Sequence, residues 1–157
     1  MKEFKSYFIL ITCITFSNLL LAQTFVSTIA ENKNVVLEEF TGISCTYCPD
    51  GHRIAKDIFN QNPNDVVLIN IHTGSFATPQ GLGTDFRTSF GSAIDAQANV
   101  SGYPAGTVNR HQFSMTQNGG TAMSRGDWTS ASSQILTEPS YINICLLYTS
   151  DAADEKR

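Results

Sequence analysis

Apolar residues along this chain occur both in short continuous runs and at helical spacing. Residues 34–40 contain the run Val-Val-Leu and are predicted to form a strand. Ile54, Ile58 and Phe59 then recur at the spacing of one helix face, which predicts a helix from about residue 45 to residue 60. A strand is therefore expected to lead directly into an amphipathic helix.

A second apolar run, VVLINIH, spans residues 66–72. Near-continuous runs of this length are typical of central parallel strands that are buried on both faces. The strand, helix, strand order predicts a right-handed βαβ unit. His72 falls at the carboxyl edge of the second strand, where open α/β sheets place their sites. A loop histidine held by a hydrogen bond is nevertheless the preferred interpretation.

The pattern continues with a second helix. In residues 85–100, Phe86, Phe90, Ile94 and Ala98 follow one another at i+4 steps, which predicts one apolar face on a helix capped near residue 84 or 85.

The last third of the chain is predicted to hold a turn, a hairpin and a helix. Pro104, preceded by Tyr103, is a candidate for a cis peptide bond, since such bonds are essentially confined to X–Pro. Residues 107–108 are predicted to begin a strand that pairs with residues 113–115. A final helix is expected over residues 124–136. Its predicted buried residues are Trp128, Ala131 and Ile135.

Composition is that of one globular domain. The 157 residues are 41% hydrophobic and 15% charged, with a net charge of −4, so a nucleic-acid partner is not expected. Residues 1–22 carry two lysines before an apolar stretch and are predicted to be a cleaved signal peptide. A membrane anchor is the alternative, but the stretch is interrupted by polar residues and short of the ~20 apolar residues that a span needs. Cys13 would be removed with the signal.

The C-terminal end differs in character from the rest. Residues 145–155, CLLYTSDAADE, resemble one reading frame of the transposon-end adapter used in sequencing libraries. That resemblance implies that residues 145–157 are an artefact and that Cys145 is not a natural cysteine. Residues 23–138 are then expected to form the folded domain, and residues 139–144 to begin a truncated following domain.

The remaining cysteines, Cys45 and Cys48, form a C-x-x-C motif at the predicted start of a helix. Such a pair closes too small a loop to stabilise a fold in the usual way, and export would let a disulfide persist. Unpaired amides and the helix dipole stabilise a thiolate there, which lowers a cysteine pKa from about 8.5 to roughly 3.5–7.5. The motif therefore predicts a dithiol/disulfide redox site.

The order of elements over residues 34–138 resembles the thioredoxin fold, which implies an α/β architecture with a central mixed sheet flanked by helices. More closely, LEEFTGISCTYCPDGH at residues 37–52 and SGYPAGTVNR at residues 101–110 resemble a family of thioredoxin-like outer-membrane proteins named after a twenty-eight-kilodalton member. These are exported bacterial proteins, some of them lipid-anchored. The resemblance implies a periplasmic or outer-membrane location.

The same resemblance implies a role for four residues. Cys45 would be the exposed attacking thiolate and Cys48 the resolving thiol. Pro104 would be a cis-proline that faces the disulfide and lines the substrate groove. Glu39 would be a buried acid beneath the second cysteine, able to relay its proton.

The motif departs from the thioredoxin pattern in two places. Ser44 replaces the usual Trp before the first cysteine, and Thr46 and Tyr47 replace the Gly-Pro pair of reducing thioredoxins. Residues between the cysteines tune the redox potential, so the direction of the reaction stays open.

Three functions follow as alternatives. The leading one is an exported thiol–disulfide oxidoreductase that acts on protein thiols and disulfides and needs no cofactor. The second is a redox-inert outer-membrane or surface binding protein with a structural disulfide, in which Tyr47 and Tyr103 line a groove. The third is a metal site that joins the cysteines to a histidine. It ranks last because structural zinc wants four ligands. The histidines considered were His52, His72 and His111, with His52 interpreted as a solvated helix residue.

Overall fold

The structure is a computed structural model and describes residues 29–144. One compact unit comprises Glu31–Ser140, and the other described residues, 29–30 and 141–144, belong to a second unit. The predicted signal peptide, a short edge strand expected near residues 25–26 and the adapter-like tail lie outside the described residues. Residues 141–144 form no strand, and their assignment to a following domain stays a prediction.

Four strands and three α-helices make up the larger unit. In chain order they are β1 (Val35–Thr41), α1 (Cys48–Gln61), β2 (Val66–His72), α2 (Ser89–Ala98), β3 (Ala105–Val108), β4 (Met123–Ser124) and α3 (Trp128–Thr137). Short 3₁₀ turns at Ser75–Ala77 and Arg125–Asp127 precede α2 and α3. None of the helices within residues 29–144 is long and apolar enough to cross a membrane.

The strands form one mixed sheet in the order β2-β1-β3-β4. β2 runs parallel to β1, whereas β3 is antiparallel to both β1 and β4. The parallel pair is joined through α1, as the βαβ prediction required. A mixed sheet with helices on its faces and a C-x-x-C motif at the start of α1 is the thioredoxin-like α/β fold, so the predicted fold class is confirmed.

Alternation along β1 divides the core into two layers. Val35 and Leu37 face the larger cluster, which includes Ile58 of α1 and Trp128 of α3. Phe40 faces a smaller cluster on the side of α2. Since successive side chains of a strand point to opposite faces, the neighbouring carboxylates Glu38 and Glu39 also lie on opposite sides of the sheet.

Trp128 fixes α3 against the sheet. Its ring is fully buried over Gly106 of β3, where a Cβ would lie 2.8 Å from the indole nitrogen. The indole N–H donates to the carbonyl of Met123 at 3.4 Å. The predicted burial of Trp128, Ala131 and Ile135 is confirmed.

The prediction that β2 is central is wrong. Among the described strands β2 lies at an edge, and Val67 is 52% exposed with Ile69 also exposed. Within residues 29–144, its apolar run therefore belongs to a strand with one partner strand and several exposed side chains.

The second helix also begins later than predicted. α2 starts at Ser89 because Thr88 caps it: the Thr88 hydroxyl accepts from the amide of Gly91 at 2.9 Å. Phe86 lies before the helix, and Phe90 is 80% exposed. Of the predicted apolar face, only Ile94 and Ala98 pack against the core.

The predicted hairpin partner of β3 is wrong as well. β3 pairs with β4 (Met123–Ser124), and residues 113–115 form no strand. Phe113 is buried in the larger core cluster from a loop, which explains why that segment is apolar.

Candidate functional site

Cys45 and Cys48 are joined in a disulfide, with their Cα atoms 5.4 Å apart. Cys48 is the first residue of α1, and Cys45 lies in the turn before it, so the helix begins three residues later than predicted. Pro49 occupies the first turn, where its missing N–H leaves no bond unmade. No side chain caps this helix start. The amide of Cys48 donates to the carbonyl of Cys45 at 3.4 Å, and the amide of Gly51 donates to the carbonyl of Tyr47 at 3.3 Å.

The two sulfur-bearing residues differ in accessibility. Cys45 is 8% exposed and Cys48 only 1%. The sulfur expected to be an exposed nucleophile is thus nearly covered in the disulfide form, yet it belongs to the more accessible residue of the pair.

Exposed apolar and aromatic side chains surround the motif. They are Ile43, Tyr47 and Phe76. Phe76 is held there because its carbonyl accepts from the amide of Ser44 at 3.0 Å. Gly42 lets the two loops approach, since a Cβ at this position would lie 2.6 Å from the amide nitrogen of Ala77.

Charged residues lie beside this apolar surface. Asp50, in the first turn of α1, accepts from Arg125 at 2.7 Å and from Arg53 at 3.0 Å. The hydrogen bond from Arg125 is the main reason why the pKa of Asp50 is lowered. The Arg125 guanidinium also lies 5.5 Å from the centre of the Tyr47 ring, which orients that exposed ring.

The Tyr103–Pro104 peptide bond is cis, as predicted. Pro104 packs against the first turn of α1: a Cβ on Gly51 would lie 3.1 Å from its Cβ and Cγ atoms. Gly51 is one turn after Cys48 on the same helix face. The structure therefore brings the cis-proline to the turn that carries the disulfide, while its role in a substrate groove stays a prediction.

Tyr103 is anchored rather than free. Its hydroxyl donates to Asp95 at 2.6 Å, and its ring meets Phe76 edge-on at 6.0 Å. Burial, supported by the Asp95 carboxylate, raises the pKa of Tyr103. Tyr103 therefore presents a fixed ring face beside the cis-proline, whereas Tyr47 is largely exposed.

Glu39 lies beneath the same helix turn. It is 1% exposed. Its Oε1 would be 2.7 Å from a Cβ on Gly51, so this oxygen points at the first turn of α1, which begins at Cys48. Oε1 has no hydrogen-bond partner among the described residues. Burial raises the pKa of Glu39, and His52 opposes the shift more weakly. Glu39 is thus a buried acid beside this helix turn, while its role in relaying a proton to Cys48 stays a prediction.

His52 makes contacts that its interpretation as a solvated helix residue does not include. Its Nδ1 lies 2.9 Å from Oε2 of Glu39, and its Nε2 lies 3.4 Å from the Thr41 hydroxyl. Its side chain is 43% exposed, so the interpretation as a solvated residue describes only one edge of the ring. The available signal was spacing: His52 follows Cys48 by four residues and shares its helix face.

Glu38 is also buried, but its carboxylate is hydrogen-bonded to other partners. It accepts from Arg110 Nε at 2.8 Å and from the Thr107 hydroxyl at 2.9 Å. The hydrogen bond from Arg110 is the largest cause that lowers the pKa of Glu38. Both neighbouring carboxylates of β1 are therefore buried.

The other two histidines lie apart from the motif. The His72 ring is 5.2 Å from the Phe86 ring, and its buried Nδ1 has no partner within residues 29–144, contrary to the hydrogen-bonded histidine that was preferred. His111 lies 4.6 Å from the Phe113 ring. No group of three or more potential metal-binding side chains is assembled in the described part of the chain.

No family model and no curated protein matches this chain. Among solved structures, protein AGR_C_4864 from Agrobacterium tumefaciens is similar at 15% identity and a TM-score of 0.47, over 67% of this chain and 45% of that one. HBP35 of Porphyromonas gingivalis is similar at 26% identity and a TM-score of 0.45, over 68% of this chain and 32% of that one. The match spans less than half the length of either protein.

Proposed function

We propose that this protein is a thiol–disulfide oxidoreductase that exchanges disulfides with partner proteins. One observation carries the proposal: a single helix turn brings together the Cys45–Cys48 disulfide, the cis-proline Pro104 and the buried acid Glu39. A disulfide that served only to hold the chain would need neither of the other two groups.

The exchange starts on the more accessible sulfur. A partner thiolate attacks Sγ of Cys45, the Cys45–Cys48 bond breaks, and Cys48 leaves as a thiolate that takes up a proton. A second partner thiolate then attacks the partner's sulfur in the mixed disulfide, and Cys45 leaves as a thiolate. The partner gains a disulfide and the protein becomes a dithiol. The reverse sequence reduces a partner disulfide.

The start of α1 favours the thiolate forms of this cycle. The positive end of the helix dipole, at a helix start without a side-chain cap, stabilises negative charge on sulfur. Glu39 supplies or accepts the proton of Cys48, because its free oxygen points at this turn and its burial favours the neutral acid.

The exposed side chains of Ile43, Tyr47 and Phe76 support a peptide as substrate, since an extended apolar segment would cover them while its sulfur meets Cys45. The same surface would serve a redox-inert binding protein. The reduction potential separates these functions, because structural disulfides have potentials below about −300 mV.

The test uses the chain with Cys13→Ser and Cys145→Ser, so that only the motif cysteines remain. We expect it to catalyse insulin reduction by dithiothreitol and to equilibrate with glutathione. Cys45→Ser should abolish turnover, and Cys48→Ser should accumulate mixed disulfides through Cys45. Ser44→Ala, which keeps both sulfurs, is the matched control. Full turnover by Cys45→Ser would overturn the proposal, and a very low potential without turnover would favour the binding function.

We also infer export to the periplasm or outer membrane, and membership of the outer-membrane family that the motif segments resemble. Residues 1–22 support export. Fusing residues 1–30 to alkaline phosphatase, which needs disulfides and is active only outside the cytoplasm, should give activity that is lost when residues 1–22 are deleted. A full-length fusion protein without phosphatase activity would contradict export.

A further inference from the structure

Glu39 is almost entirely shielded from solvent, and among the described residues its side chain is hydrogen-bonded to His52. The carboxyl is 1% exposed and belongs to the β1 face covered by α1. Its Oε2 lies 2.9 Å from His52 Nδ1, and the His52 side chain is 43% exposed. A proton that leaves or reaches Glu39 by hydrogen bonds therefore has the imidazole as its route to water.

The two carboxyl oxygens face different surroundings. Oε1 points to the turn formed by Gly51 and Cys48 and has no partner among the described residues, whereas Oε2 faces His52. One oxygen is thus directed towards the sulfur side and the other towards the solvent side. This is the arrangement that a proton path through the carboxyl requires.

A surface pocket meets the solvent side of this path. Its volume is about 410 Å³. Its lining consists of Glu39, His52, Ala55, Lys56, Phe59, Leu68 and Asn70. Water in this pocket reaches the imidazole without passing the disulfide or the apolar surface around it, so a bound partner would leave the path open.

We propose that His52 carries protons between Glu39 and solvent in each exchange cycle and thereby sets its pH dependence. The inference rests on the proposed function. When Cys48 leaves as a thiolate, Glu39 gives it a proton; the Glu39 carboxylate takes one from the His52 imidazolium, and His52 regains one from water. In the reducing direction the protons travel outwards. His52 acts through Glu39 and is a positioning residue.

The groups facing His52 come from three elements. Lys56, one turn further along α1, contributes positive charge; Asn70 of β2 is neutral; Thr41 of β1 offers a hydroxyl. Glu39 is the one acid among these contacts. Histidine is the side chain that normally changes charge between pH 5 and 8, so exchange is measured across that interval.

The experiment uses the disulfide form of the chain without Cys13 and Cys145 and measures how fast it oxidises reduced glutathione between pH 5 and 8. Samples are quenched with acid and analysed by mass spectrometry. Rates are corrected for the glutathione thiolate fraction. His52→Asn keeps an amide donor near the position of Nδ1 but cannot titrate. We expect it to change the shape of the pH profile and to slow exchange on the order of tenfold at pH 6, less than the ~10²–10⁴-fold typical of the proton-transferring group itself.

His111→Asn is the matched control, because it makes the same chemical change beside Phe113 and should leave the profile unchanged. His52→Ala gives a second measurement: imidazole added to solution should restore its rate, which a purely structural role would not allow. A profile of His52→Asn that coincides with wild type, or no rescue by imidazole, overturns the inference alone. Absence of exchange in the wild-type chain overturns the proposed function as well.

Discussion

Neighbouring carboxylates on β1 should have opposite effects on stability. Glu38 and Glu39 are both buried, one on each face of the sheet. Glu38 is fully paired, whereas Glu39 keeps one oxygen without a partner among the described residues. We expect Glu38→Gln to destabilise the protein at pH 8 and Glu39→Gln to stabilise it, although the chemical change is the same.

The magnitudes follow from the contacts. Glu38 loses charge-assisted hydrogen bonds from Arg110 and Thr107; a hydrogen bond to a charged group contributes about 1.5–3 kcal/mol, so Glu38→Gln should lower the free energy of unfolding by about that amount. Glu39→Gln removes a negative charge that burial disfavours, but the amide still leaves one polar atom at the unpartnered position of Oε1. The amide can keep the hydrogen bond to His52, so the gain from losing the charge should be about 1 kcal/mol.

The pH dependence has opposite signs at the two sites. The pKa of Glu38 is lowered in the folded protein. Its contribution to the free energy of unfolding is therefore present above the unfolded pKa and is lost as pH falls through the folded pKa. The pKa of Glu39 is raised in the folded protein. Its contribution to the free energy of unfolding is therefore complete below the unfolded pKa and is lost as pH rises through the folded pKa. The difference between the variants should therefore be large at pH 8 and shrink towards pH 4.

The assay is urea unfolding of the oxidised chain at pH 4, 6 and 8, followed by circular dichroism. An unchanged dependence of the unfolding free energy on urea concentration would show that only stability differs. Equal destabilisation by both substitutions at pH 8, or a gain for Glu39→Gln that grows towards pH 4, would refute the reasoning from burial and pairing.

Two further substitutions test the packing around the site. Gly51→Ala places a Cβ 3.1 Å from Pro104 and still closer to the carboxyl oxygen of Glu39, so it should lower the free energy of unfolding by about 1–3 kcal/mol. Gly126→Ala is the control: its Cβ has no atom within 4 Å, so the free energy of unfolding should change by no more than about 0.5 kcal/mol. Trp128→Ala should cost about 3–5 kcal/mol in thermal unfolding, against about 0.5 kcal/mol or less for Phe90→Ala at its exposed position; similar losses for both would contradict the assigned core.

Most of the fold could be predicted because its strongest signals are local. The apolar runs of β1 and β2 and the spacing of Trp128, Ala131 and Ile135 each follow from a few adjacent residues. The position of β2 at an edge could not be read this way, since it depends on which strands pair. The helix start at Ser89 was not predicted because Thr88, Ser89 and the residues before them include several possible N-cap residues.

In the candidate site, too, the residues with local sequence signals could be predicted and the contacts between distant segments could not. Cys45, Cys48 and Pro104 were found from motifs in which neighbours in the chain are neighbours in space. The contact between His52 and Glu39 joins a helix to a strand across thirteen positions, and no local pattern encodes it. Burial of both carboxylates was missed for a related reason: the partner that makes Glu38 tolerable, Arg110, comes from a distant segment.

Glu39 bears most directly on the choice between an enzyme and a binding protein. Burying a carboxyl with an unpaired oxygen lowers stability, and such groups persist in folded proteins chiefly where function uses them. A structural disulfide has no use for a proton donor, so in a binding protein an apolar side chain would serve better at this position. If Glu39→Gln both stabilises the chain and slows thiol exchange, the acid is retained for proton transfer. If it stabilises the chain and leaves exchange unchanged, the carboxyl takes no part in the chemistry, and the proton path through His52 falls with it.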